Sequence, residues 1–240
     1  MKIALFGNGK MGQLVAIQAR AAGHEVGEVL TSNDAPTGVA DLSARLRGHD
    51  VAIDFTVAAA VARNVAACVQ ANVPLVEGTT GWQSQQNAVC QMVVEHGGAL
   101  IYGANFSVGV NLFYRVVAHA AALFATAKEY APFIEEAHHA QKRDAPSGTA
   151  LRLHDLLKER IEAEIPIAAT RAGFIPGTHR VGFDSAADQI MLTHTARSRA
   201  GFASGALLAA AWISGRKGVF EFSQMINEVI ADCQLPGADC

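Results

Sequence analysis

The opening of the chain constrains its fold more than any other segment. Ile3-Ala4-Leu5-Phe6 is a short apolar run that reads as a buried strand, and it runs into Gly7-Asn8-Gly9-Lys10-Met11-Gly12. A helical pattern follows at once, with Met11, Leu14, Val15, Ala19 and Ala22 on one face and Gly23 as its stop. Strand, G-x-G-x-x-G turn and helix in this order fit a dinucleotide-binding turn. Gly7 permits the tight turn, Gly9 lets the backbone approach a pyrophosphate, and Gly12 lets the helix pack close to the strand. The first helical turn then offers free N–H groups and a partial positive charge to phosphates. An unliganded strand-to-helix connection is the competing reading of the same residues.

The pattern repeats. Glu25 to Leu30, Val51 to Phe55, Val73 to Val76 and Ala99 to Tyr102 read as further strands, with helices near 58–71 and 83–96. Strands apolar on both faces and separated by helices predict a parallel sheet covered on both sides. Beyond Tyr102 the pattern changes. A long alanine-rich helix is expected over 109–127, a strand over Pro132 to Ala137, and a helix near 149–163. Residues 166–205 are richer in Thr, Gly and Ser and alternate as strands do, for example Gln189 to Thr195. Helices near 206–214 and 222–233 close the chain. The expected fold class is α/β, with an N-terminal Rossmann-type parallel sheet domain and a C-terminal α+β domain built on a mixed sheet. The expected domains are 1–106 with 216–240 for the dinucleotide, and 107–215 for substrate and oligomerisation.

Composition narrows the function classes. Among 240 residues, 19 Lys and Arg stand against 22 Asp and Glu, so no basic surplus points to a nucleic-acid partner. Half the residues are apolar and only 17% are charged, which argues against disorder. The longest apolar run, Ala206 to Ile213, falls far short of the roughly 20 residues of a membrane span. The apolar stretch at the N-terminus is too short for a signal-peptide core. Cys68, Cys90, Cys233 and Cys240 are widely spaced, with no C-x-x-C pair, so reduced thiols in a cytoplasmic protein are expected.

The adenosine ribose is read about 20 residues beyond the glycine turn, where an acidic residue binds the 2′-hydroxyl. This chain has Thr31 and Ser32 there. Their hydroxyls can donate to a 2′-phosphate and Lys10 can add charge, which favours NADPH, while Asp34 keeps NADH open.

A second constellation lies at His138, His139, Lys142 and Arg143, followed by Asp144-Ala145-Pro146-Ser147-Gly148-Thr149. Pro146 and Gly148 fix a turn, and Ser147-Gly148-Thr149 opens a helix whose free N–H groups suit an anion. Imidazoles, an ammonium group and a helix start together suit a small polyanion such as a dicarboxylate, and Lys142 can deliver a proton. Three other readings remain open at this point: a metal pair with Glu136 or Asp144, solvated surface histidines, and plain N-capping by Ser147.

These residues resemble a known signature. Glu136-Ala137-His138-His139 through Lys142 to Asp144-Ala145-Pro146-Ser147-Gly148-Thr149-Ala150 is similar to the pattern E-x-H-H-x-x-K-x-D-A-P-S-G-T-A of the 4-hydroxy-tetrahydrodipicolinate (dihydrodipicolinate) reductases of lysine and diaminopimelate biosynthesis. Gly7 to Gly12, Gly78-Thr79-Thr80-Gly81 and Ala104 to Asn111 agree with it, so the resemblance covers essentially the whole chain. It implies NADPH or NADH as cofactor and a small dicarboxylate heterocycle as substrate. It also implies a homotetramer; from composition and thiol spacing the expectation is a cytoplasmic protein with neither nucleic acid nor membrane as a partner, and no metal is expected.

By position, Gly7, Asn8, Gly9, Lys10, Met11 and Gly12 would bind the pyrophosphate. Gly78, Thr79, Thr80, Gly103, Ala104, Asn105 and Phe106 would line the nicotinamide and its ribose. His138 and Lys142 would transfer protons, while His139, Ser147, Gly148 and Thr149 would hold substrate. Arg143 takes no role. The chain departs from many relatives in its shorter glycine turn, in Thr31 replacing an acidic residue, and in overall length. Two rivals stand beside this reading: another imine reductase of the aspartate dehydrogenase type, and a non-catalytic dinucleotide sensor.

Overall fold

The computed structural model describes residues 1–34 and 38–233 and divides the chain into two compact units, 1–108 with 199–240 and 109–198. The first unit starts with β1 (Lys2–Phe6), α1 (Lys10–Ala21), β2 (Glu25–Leu30), α2 (Val39–Leu46), β3 (Val51–Asp54), α3 (Ala58–Ala71), β4 (Leu75–Glu77), α4 (Gln83–Glu95) and β5 (Ala99–Tyr102). The second holds most of α5 (Val108–Phe124), then β6 (Ala131–His138), α6 (Gly148–Lys158), β7 (Ile167–Arg171), β8 (Thr178–Asp184) and β9 (Gln189–Thr195). The chain then returns to the first unit with α7 (Ala200–Ile213), β10 (Gly218–Glu221) and α8 (Phe222–Cys233).

The first sheet has the order β10-β5-β4-β3-β1-β2, and every pairing is parallel. Alternation along each strand divides its side chains between two cores. Ile3, Leu5, Ile53 and Ile101 face one core with Val15 and Ala19 of α1 and Ala206, Ala210 and Ile213 of α7. Ala4, Phe6, Ala52 and Leu100 face the other with Leu42 of α2, Val65 of α3 and Val89 of α4. The direction of strand addition reverses at β1, with β2 on one side and β3 on the other. Ligands of open α/β sheets bind beyond the carboxyl ends of strands at such a point.

The second sheet, β7-β6-β8-β9, is mixed: β6 pairs parallel with β7 and antiparallel with β8, and β8 with β9 likewise antiparallel. Pro132, Ile134, Glu136 and His138 alternate onto the buried face of β6. Ile134, Val181 and Phe183 meet Phe113 and Val117 of α5 and Leu153 and Leu157 of α6 there.

The structure corrects the expected domain boundary. Residues 199–215, assigned from sequence to the second domain, belong to the first, because the small residues of α7 let it lie close against the first sheet. A Cβ on Gly205 would sit 1.7 Å from the Phe106 carbonyl oxygen. Helix α7 also starts six residues before the expected 206. Elements α2 and β10 were not anticipated.

Candidate active site

In the first unit the sequence-predicted cofactor residues converge at the carboxyl ends of β1, β2, β4 and β5. Gly7 adopts φ +95°, and its N–H donates to the Leu30 carbonyl at 2.7 Å. A Cβ there would lie 2.8 Å from the Phe55 carbonyl oxygen. A Cβ on Gly12 would lie 2.0 Å from the Gly7 oxygen, so the turn and helix α1 fit only with glycine. Gly9 is the N-cap of α1, with no side-chain cap, no acidic residue in the following turn, and open space where a Cβ would be. Free N–H donors beside an uncovered glycine are what a pyrophosphate requires, so the loop fits a dinucleotide. Asn8 and Lys10 are exposed beside it, while Met11 packs against the core.

Beyond β2, Ser32 begins a 3-10 turn, and the Thr31 hydroxyl accepts the Asn33 N–H at 3.3 Å. The Asp34 side chain, the NADH alternative, lies outside the described residues, as do those of Cys233 and Cys240. Of the other cysteines, Cys68 is a buried free thiol and Cys90 a half-buried one.

The loop after β4 is held from beneath. Gly78 N–H donates to the Asp54 carbonyl at 2.9 Å, and a Cβ there would strike the Phe55 ring. Thr79 is buried, and its carbonyl accepts the Trp82 indole N–H at 2.9 Å, whereas Thr80 is exposed. After β5, Gly103 N–H donates to the Glu77 carbonyl at 3.3 Å and Asn105 Oδ1 accepts the Ser107 N–H at 2.9 Å. Ala104 is exposed, and Phe106 is buried against Phe55 and Phe222. Ala104, Thr80 and the loop backbone are therefore accessible, while Thr79 and Phe106 act from below.

In the second unit β6 supplies Glu136 and His138 on one face. Register adds two residues that sequence reasoning missed: β7 pairs Arg171 with His138, and β8 pairs His179 with Glu136. Both are isolated in sequence, and only strand register reveals them. Glu136 is 2% exposed and accepts from Arg171 on both oxygens, at 2.6 and 2.8 Å, from the Ser147 N–H at 3.0 Å, and from His138 Nδ1 at 2.5 Å. Burial pushes its carboxyl up, but Arg171, His138 and the Ser147 amide outweigh that and hold it below the usual range.

His138 and His179 stand edge to face, 5.0 Å between ring centres. Burial pushes both imidazoles down, and His179, with His138 beside it, falls to about 4. The Glu136 bond fixes the His138 proton on Nδ1 and leaves Nε2 to exchange one.

The remaining candidates lie along the turn after β6. His139 is half-buried at its start. Lys142 is three-quarters buried and pairs with Asp144 at 2.8 Å. Lys142 acts electrostatically on both His138 and His179, and the turn ends in a cis Ala145–Pro146 bond. Ser147 is buried: its Oγ accepts the Ala150 N–H at 3.2 Å and meets His179 Nε2 at 3.0 Å. Its side chain is therefore committed to capping α6, and the anion-binding part of the helix start falls to Gly148, which is exposed, and Thr149, which is half-buried. Arg143 is exposed.

Glu136, His138 and His179 bring ligand-type atoms within 4.8 Å of one another. They do not fit a cation, because both Glu136 oxygens already accept from the Arg171 guanidinium, whose charge would repel one. The group is an acid–base network: a buried carboxylate neutralised by arginine, an oriented imidazole, and an ammonium group beside the start of α6, where the Asp144 carboxylate already sits against the Gly148 N–H.

The likeness to known proteins follows the same division. The model for the dihydrodipicolinate reductase N-terminus matches residues 1–106, and that for the C-terminus matches residues 109–226. A 4-hydroxy-tetrahydrodipicolinate reductase of Christiangramia forsetii is 36% identical over 95% of this chain and 99% of its own. Another, of Methanococcoides burtonii, is 35% identical over 86% and 91%. In fold, the chain is similar to a dipicolinate-bound dihydrodipicolinate reductase from Paenisporosarcina sp. TG-14, with a TM-score of 0.76 over 92% of this chain and 97% of that one, at 23% identity. With a glycine turn and a histidine–lysine network each lying inside its matching half, the chain belongs to the dihydrodipicolinate reductase family.

Proposed function

We propose that this protein reduces 4-hydroxy-tetrahydrodipicolinate to tetrahydrodipicolinate with NADH or NADPH, a step of lysine and diaminopimelate biosynthesis. The observation that carries the reading is the Arg171–Glu136–His138 network beside Lys142 and the start of α6, in a chain matched along both halves by one reductase family.

The first unit holds the cofactor: Gly7 to Gly12 take the pyrophosphate, and the loops 78–80 and 103–106 take the nicotinamide and its ribose. When bound, NAD(P)H supplies the hydride. The substrate ring takes up that hydride and one proton, and its hydroxyl leaves as water. Lys142 donates the proton to the ring nitrogen as electron density builds there, with His138 Nε2 as the neighbouring exchange site. Glu136 and Arg171 keep His138 in one tautomer. His139 and the Gly148 and Thr149 amides hold carboxylates, helped by the helix dipole.

The Thr31 and Ser32 hydroxyls, with Lys10, favour NADPH through its 2′-phosphate. We also read the protein as a cytoplasmic homotetramer that associates through the second sheet. Free Cys68 and Cys90 support the first part. Exposed Met191, Thr193 and Thr195 on the sheet face away from Glu136 support the second.

The deciding assay follows cofactor oxidation with the aldehyde–pyruvate condensation product as substrate, using NADPH and NADH side by side. Turnover identifies the reductase and excludes a dinucleotide sensor, and activity on aspartate in its place would favour the aspartate dehydrogenase type. In the same assay Lys142→Ala is expected to lower kcat by about 10²–10⁴-fold with cofactor affinity unchanged. Near-normal turnover would remove Lys142 from the chemistry.

A further inference from the structure

Beneath the 78–80 loop lie two carboxyl groups that the reaction itself does not use. Asp54 and Glu77 close β3 and β4, are direct register partners, and are fully buried. Among the described residues neither forms a salt bridge. Arg63 on α3 turns its guanidinium to the Asn64 side-chain oxygen, and the Asn64 amide in turn donates to Asp54. Two like charges cannot both persist so close together in a site without water, so the pair keeps a proton.

Donor count shows which group keeps it. Asp54 Oδ1 accepts the Thr56 N–H at 2.8 Å and the Thr79 hydroxyl at 3.4 Å, and Oδ2 accepts the Asn64 amide at 2.7 Å. Glu77 Oε1 accepts only the Thr79 N–H, at 2.7 Å, and Oε2 is buried without a donor. The carboxyl ringed by donors is the ionised one, and the oxygen without a donor carries the hydrogen. Asp54, the register partner of Glu77, is the neighbouring carboxyl with which it interacts. Burial pushes both carboxyls up, Glu77 the further because the Asp54 charge adds to it. The buried Cys68 thiol facing them from α3 is pushed up by burial and by the same two groups.

Thr79 is thus gripped through three groups: its N–H donates to Glu77, its hydroxyl donates to Asp54 and accepts the Thr56 N–H at 3.1 Å, and its carbonyl accepts from Trp82. We infer that Asp54, ionised, and Glu77, protonated, form a one-proton carboxyl pair that positions Thr79, and through it the loop that carries the reduced cofactor. They are positioning residues, since neither is exposed to a ligand. The assignment to the cofactor rests on the proposed function, whereas the placement of the proton does not.

Three variants of the full chain test this, each followed by NADPH fluorescence titration, steady-state kinetics, thermal unfolding and infrared spectroscopy. Glu77→Gln retains an acceptor for the Thr79 N–H and a donor toward Asp54, so its NADPH Kd is expected within about twofold of wild type. Asp54→Asn turns an amide donor against existing donors, and is expected to weaken NADPH about tenfold or more while leaving the substrate KM unchanged. Thr79→Val cuts the hydroxyl's bonds to Asp54 and to the Thr56 N–H and leaves both carboxyls, and about threefold weaker NADPH binding is expected. It carries the test if Asp54→Asn does not fold. The wild-type infrared spectrum should contain a protonated-carboxyl stretch that Glu77→Gln lacks.

A wild type without that band, or Glu77→Gln as impaired as Asp54→Asn, overturns the proton assignment. Unchanged NADPH binding in Thr79→Val overturns the positioning role. Failure of the wild type to oxidise NADPH with substrate would instead defeat the proposed reaction, and the infrared result would stand regardless.

Discussion

Glu136 and the Asp54–Glu77 pair are acids withdrawn from water, and the protein treats them in opposite ways. Glu136 has a guanidinium on both oxygens and is held ionised. Asp54 and Glu77 have no salt bridge among the described residues and are pushed toward the protonated form. The first arrangement fixes a charge beside an imidazole that must keep one tautomer. The second keeps charge to a minimum beneath a loop whose task is to hold position. Burial alone therefore does not decide what a carboxyl group becomes; the donors around it do.

The strongest way to break this contrast is to remove the cation. Arg171→Leu leaves Glu136 buried without its guanidinium, held only by His138 and the Ser147 N–H, with an expected loss of about 3–5 kcal/mol in urea unfolding and a carboxyl that burial pushes up. A loss below about 1 kcal/mol would show that Arg171 is not what keeps Glu136 ionised.

Next in size is the response to pH, which should have opposite signs in the two units. His179 titrates near 4 when folded and at its ordinary 6.5 when unfolded, so the unfolded chain binds more protons between those values. Stability of the second unit should fall as pH drops through that window, by up to about 3 kcal/mol. Glu136, held low, adds a loss of the same sign at lower pH. Asp54 and Glu77 are raised, so the folded first unit keeps a proton that the unfolded chain has released. Its stability should fall as pH rises above the ordinary carboxylate range. Hydrogen exchange followed segment by segment on both sides of neutrality checks this, and slopes of equal sign in the two units would end the comparison.

The smallest effect sharpens it. Ser147→Ala removes the cap of α6 and the partner of His179 but keeps the backbone N–H to Glu136. About 1–2 kcal/mol of stability should be lost, with NADPH affinity unaltered.

Much of this was legible in the sequence because it is local. The glycine turn, strands β1 to β5 of the first sheet and the His138–Thr149 segment each announce themselves within a few residues. A second sheet was also expected from alternation, as mixed or antiparallel, and the parallel β6–β7 pairing makes it mixed. Arg171 and His179 were not found, because nothing near them in sequence hints that register sets them against His138 and Glu136. Asp54 and Glu77 were visible as acids ending apolar strands, yet their role depends on a pairing between neighbouring strands. The start of α7 was obscured by Gly201, Ser204 and Gly205, which resemble a loop in composition, although Gly205 gives this helix its close fit. Strand β10 is four residues at a sheet edge, too short for periodicity to register.

The late return of the chain to its first sheet has a consequence for synthesis. A ribosome completes everything through Ser198 before Arg199 emerges, so the second unit can finish folding while the first is still missing α7, β10 and α8. Through that interval Ile3, Leu5, Ile53 and Ile101 have only α1 as shelter, and the nascent chain carries an adhesive apolar surface. A stop codon just after Ser198 would release a product with one sound half and one bare sheet, a substrate for chaperones and proteases rather than for NADPH.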